Sequence, residues 1–164
     1  MAINDSTTGQ PINTGAPATG LRSVGAYQVS GHPFITGSAN LDAAKCHMIE
    51  FDYVSKSFTV INTNTDAADV IRVHFVSGSG TTEITVPGEA GTKAIADASD
   101  VINNYHFITV PAGNGSVTFD TRCKRFYISN RAAGNANLSY EVMAELTTIP
   151  AGRMFELTGS GITV

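Results

Sequence analysis

From residue 25 onward, apolar and polar positions alternate in short runs, each closed by a turn residue. In 47–54, Ile49, Phe51 and Tyr53 fall on one side and Glu50 and Asp52 on the other. That period of two predicts a strand with one buried face. Residues 56–62 repeat the pattern around Phe58 and Val60, and 70–77 set Ile71, Val73 and Phe75 against Arg72 and His74. In 138–147, Tyr140, Val142, Ala144 and Leu146 oppose Ser139, Glu141 and Glu145. Shorter runs at 26–30, 33–36, 81–86, 105–110, 116–121 and 124–130 also read as strands, and 155–157 and 162–164 as short edge strands. Only 92–103 has helical spacing, with Ile95, Ala98 and Ile102 on one side, and a long loop accounts for it equally well.

A succession of short strands joined by Gly, Asn, Asp and Ser predicts an all-β fold, an antiparallel β-sandwich. The jelly roll is the first choice and an immunoglobulin-like sandwich the second. Composition points the same way. The chain has 13 Val, 13 Ile and 19 Thr, against 5 Leu, 4 Lys and 6 Glu. β-Branched side chains suit a pleated surface, whereas the residues that build helices are scarce.

Residues 1–23 differ from the domain that follows, 24–164. They carry Pro11, Pro17 and three glycines, isolated apolar residues such as Ile12 and Leu21, and only Asp5 and Arg22 as charges. No periodicity lets this segment bury enough surface to offset its ordering entropy alone. It reads either as a frayed terminus or as an extended arm that orders against a neighbouring subunit, where Pro11, Ile12, Pro17 and Leu21 would make the contact. The paucity of charge favours contact with protein over service as a solubilising tail.

Charge narrows the function. A net charge of -4 and a charged fraction of 15% argue against a nucleic-acid binder and against a polybasic membrane-surface protein. No apolar run is long enough for a membrane helix. The first residues lack the basic and apolar regions of a signal peptide, so a reducing compartment and free thiols are expected for Cys46 and Cys123. No Cys/His cluster suggests zinc. Asn62, Asn64 and Asp66 alternate like calcium ligands, but Ala67 and Val73 stand where that loop needs Gly and Glu, so a polar turn is the better reading. His74 and His106 read as solvent-facing or interface residues, without a third metal ligand. No phosphate loop, nucleophile elbow or nucleophile–base motif is present, so no catalytic activity and no cofactor are expected. Arg122, Lys124 and Arg125 form the basic cluster of an otherwise acidic chain. On a strand, Arg122 and Lys124 would share a face and Arg125 would take the other. The cluster either guards a strand edge or meets acidic groups on a partner.

Several phrases carry a resemblance: GAYQVSGHPFITGS at 25–38, RVHF at 72–75, KRFYISN at 124–130, AELTTIPAGRM at 144–154 and LTGSGITV at 157–164. Together they resemble a group of small virion proteins of marine tailed bacteriophages, over roughly residues 25–164. The resemblance implies a structural virion component, with capsid decoration (cementing) as the expected role. The partner would be the major capsid protein, and the location the capsid surface after synthesis in the host cytoplasm. It assigns a role to no individual residue. Weakly charged edge strands, which need cover, add an expectation of self-association as a homotrimer. The alternative is a carbohydrate- or receptor-binding appendage module. The chain has no Trp, so Tyr27, Tyr105 and Tyr127 would have to serve as its sugar platforms.

Overall fold

The computed structural model describes residues 31–43, 46–75, 84–85, 92–93, 106–130 and 137–156. The strands are β1 (His32–Leu41), β2 (Cys46–Glu50), β3 (Tyr53–Asn62), β4 (Ile71–His74), β5 (Ile84–Thr85), β6 (Thr92–Lys93), β7 (Ile108–Val110), β8 (Ser116–Phe119), β9 (Arg125–Asn130) and β10 (Leu138–Pro150). A single 3₁₀ turn, Ala151–Arg153, is the one helical element among the described residues. The chain is all-β, and its strands form two sheets, β1-β10-β3-β8 and β6-β5-β2-β9-β4-β7. Pairing is nested: β1 with β10, β2 with β9, β3 with β8 and β4 with β7, all antiparallel. The β5–β6 pair is inserted between β4 and β7, and β5 adds to the edge of β2 as the one parallel neighbour among the described residues.

The main core lies where the two sheets meet. The four-stranded sheet contributes Phe58, Val60, Tyr140, Val142, Ala144 and Leu146. The six-stranded sheet contributes Ile49, Ile71, Val73, Val110, Phe126 and Ile128. All of these except Val110, Phe126 and Ile128 are positions that alternation in 47–54, 56–62, 70–77 and 138–147 assigns to the buried side. Phe58 is the centre, stacked on Phe126 at 4.2 Å and on Phe119 at 4.8 Å between ring centroids. Such offset stacks add about 1 kcal/mol each beyond simple burial.

Several expectations are corrected. The first strand does not stop at residue 36 but runs through Gly37 to Leu41. A Cβ on Gly37 would lie 2.8 Å from the Tyr140 carbonyl oxygen, so this glycine allows close approach to β10. The register then shifts between Ser38 and Leu41, and this bulge places Leu41 in the core. Residues 47–54 are not one strand: β2 ends at Glu50 and β3 begins at Tyr53. β2 is also not half-buried, because Cys46 and Met48 are covered as well as Ile49. His74 does not face solvent, being 1% exposed. Thr92–Lys93, which opens the helical candidate, is strand, and residues 155–156 are not. The arm 1–23, with Pro11, Ile12, Pro17 and Leu21, lies outside the described residues. So do the expected strands at 26–30 and 162–164 and the remainder of 92–103.

The Asn62–Asp66 stretch is used internally. Asn62, fully buried, donates to the carbonyls of Asp69 (2.8 Å) and Val110 (3.1 Å) and accepts from Asn64. Asn64 in turn accepts from the Ser139 amide at 2.9 Å. This network ties the end of β3 to β7 and to the start of β10, and Asp66 closes the turn by accepting from the Ala68 amide. The oxygens that resemble calcium ligands are spent on backbone and side-chain donors.

Candidate interaction surface

Strand geometry makes the outer face of the four-stranded sheet a cross-strand table. One row runs Ile35, Met143, Thr59, Thr118 across β1, β10, β3 and β8. Ile35 is 77% exposed and Met143 52%. The two threonine hydroxyls bond each other at 2.8 Å, leaving that end of the row satisfied and uncharged. The next row places half-buried Ile61 beside Glu141 and Ser116. The charges on this face are Glu141 and, to one side, the Lys56–Glu145 pair at 3.0 Å. Ile35 and Met143 thus stand side by side as an exposed apolar pair on the outward face of an acidic chain.

The expected basic patch is organised differently from its strand reading. β9 begins only at Arg125, and Lys124 and Arg125 converge on one carboxylate instead of pointing to opposite faces. Lys124 Nζ lies 2.5 Å from Glu156 Oε1, Arg125 pairs with Glu156 Oε2, and Arg125 also approaches Glu50 at 3.9 Å. The Lys124 hydrogen bond holds the Glu156 carboxyl below the usual carboxylate range, with the Arg125 charge acting in the same sense. Lys124 and Arg125 are thus matched by Glu156 within the chain, and Arg122 is exposed.

Sequence reasoning missed a polar cluster on the outer side of the six-stranded sheet. His74 Nε2 lies 3.1 Å from Ser129 Oγ and 4.0 Å from Cys46 Sγ, and the His74 ring stacks on Tyr127 at 5.8 Å. Hydroxyl and imidazole are at the spacing of a nucleophile and its base. His74 and Ser129 are 1% exposed and Cys46 is fully buried, so substrate has no approach to them in this conformation. Burial raises the Tyr127 phenol above its usual range, and it does the same to Tyr140, whose hydroxyl bonds His47 Nδ1 at 2.9 Å on the core side. Cross-strand register was the signal that sequence lacked: Cys46 pairs with Ser129 and His74 with Tyr127. His106 is exposed, and among the described residues no group of three or more His, Cys, Asp or Glu is placed to hold a metal. Tyr127 is 6% exposed and offers no sugar platform, while Tyr27 and Tyr105 lie outside the described residues. Comparison of the chain with protein-family models, curated proteins and solved structures finds no match.

Proposed function

We propose that this chain is a jelly-roll structural protein of a phage virion, which docks on the capsid through one sheet face and reinforces it without catalysis. The nested pairing carries this reading. Eight strands pairing first with last, inward to β4 with β7, follow the winding of a hairpin rolled into two facing sheets. That architecture recurs in viral capsid and lectin domains. The outward Ile35–Met143 pair supports a protein contact over a glycan site, since Tyr127, the one described tyrosine among the three candidate platforms, is buried. Residues 1–23 serve in this reading as an anchoring arm, and the domain self-associates, drawn here as a homotrimer on local threefold positions of the shell. Linking an arm to a docking face raises the effective concentration at the second contact.

The test is made on virions. Deleting residues 2–22 is expected to lower capsid occupancy far more than it lowers the melting temperature of the domain. Particles lacking the protein are expected to release their genomes at lower temperature than complete ones. Particles that are equally heat-resistant but fail to adsorb to cells would replace the cementing role with that of a receptor-binding appendage.

A further inference from the structure

We propose that β1 is a self-recognition edge, pairing antiparallel with β1 of a second copy across a twofold axis. β1 is ten residues long and lies at the end of its sheet, with β10 as its one strand neighbour among the described residues. Every second residue of such a strand directs its backbone N–H and C=O away from the sheet, a ready template for another strand. The six-stranded sheet covers the edge of β2 with the inserted β5, but β1 has no counterpart to that cover among the described residues.

Three observations select a second copy of β1 as the occupant. The first is length: among the described residues the other edge strands, β6, β7 and β8, have two, three and four residues, so of these edges β1 alone matches β1. The second is charge. The chain is acidic, yet HPFITGSANL contains no Asp, Glu, Lys or Arg, so two copies meet without like charges facing each other. It also lacks the lysines that commonly guard an edge, and Pro33, which has no N–H to donate, stands near its start. The third is register. β1 pairs regularly with β10 from His32 to Ser38, and Ile35 is the midpoint of that span. Centring the dyad there sets Ile35 beside its own copy and Phe34 beside Thr36. The most exposed apolar side chain of the molecule's described core strands is then covered by its equivalent. The row becomes Met143–Ile35–Ile35–Met143 across two molecules.

This contact uses the same Ile35 that the capsid reading offers to a protein partner, but it is carried by the length, charge and register of β1, and its test needs no virion. Ile35→Cys is expected to form a disulfide-linked dimer under mild oxidation, since directly opposed residues bring their Cβ atoms within about 5 Å. The native Cys46 and Cys123 are buried and do not compete. Thr118→Cys, on the exposed face of β8, serves as the control for random collision. Ile35→Lys is expected to halve the solution mass measured by sedimentation, from a dimer to one chain or from a pair of trimers to one, while leaving unchanged the melting temperature measured at dilutions where the parent has also dissociated, because residue 35 is exposed in the single chain. The inference is overturned if Ile35→Cys cross-links no more than Thr118→Cys, or if Ile35→Lys leaves the mass as it was.

Discussion

Phe58 sits between the rings of Phe119 and Phe126 and touches both sheets, so its removal opens a cavity that neither sheet can close alone. Phe58→Ala is expected to cost about 3–5 kcal/mol, read as a loss of denaturant midpoint with little change in slope. Cys123 acts through its protonation. Burial pushes its thiol from the ordinary 9.0 up to about 11, partly countered by the Ser55 hydroxyl. Below pH 9 folded and unfolded chains both hold the proton, and stability does not depend on this group. Between 9 and 11 the unfolded chain releases it while the folded chain retains it, so stability falls as pH rises, by about 3 kcal/mol over the window. Tyr127 and Tyr140, also raised by burial, add in the same direction above pH 10. Unfolding titrations of the parent and Cys123→Ala chains should therefore diverge in slope between pH 9 and 10.

Among the elements, β1 depends on Gly37. Gly37→Ala drives a Cβ against the Tyr140 carbonyl, which belongs to backbone and cannot rotate aside. The expected cost is about 1–3 kcal/mol. Faster hydrogen exchange in β1 and its β10 partners, with β4 and β9 unaffected, would locate it there. The alternation of Ile49, Phe58, Val73 and Tyr140 was legible in the sequence, because a period of two assigns one face of a strand to the core. The second face was not legible. Nothing in 46–50 distinguishes a Cys46 and Met48 left in water from the buried pair observed, since cover on that side comes from residues distant in sequence. The His74–Ser129 contact was hidden for the same reason, as it joins strands 55 residues apart. The continuation of β1 past residue 36, through Gly37 and the bulge before Leu41, was not legible because local residue preference says nothing of how near β10 passes. The Ile35–Met143 pair could be found only through register, although each residue alone stood in a predicted strand.

For the whole molecule, nested pairing makes nearly every sheet contact long-range. β1 meets β10 only after more than a hundred intervening residues have been brought into place, as with Phe34 and Ala144. Chains dominated by such contacts refold in milliseconds to seconds, and refolding on that scale is expected here by stopped-flow fluorescence of the tyrosines. The exposed ion pairs hold little of the stability, so neutralising Glu156 by Glu156→Gln should change it by less than about 1 kcal/mol. The place of β1 at the sheet edge also has a mechanical side. A load applied to the start of β1, at Gly31 and His32, acts on a strand whose one neighbour among the described residues is β10. A pull across the sheet breaks the β1–β10 hydrogen bonds one after another, as a zipper opens, whereas a pull along the strand loads the seven regular pairs from His32 to Ser38 together. The same tether is therefore weak in one direction and strong in the other. A second β1 docked on the open edge would give the loaded strand hydrogen bonds on both sides, doubling the joints that a peeling force must break.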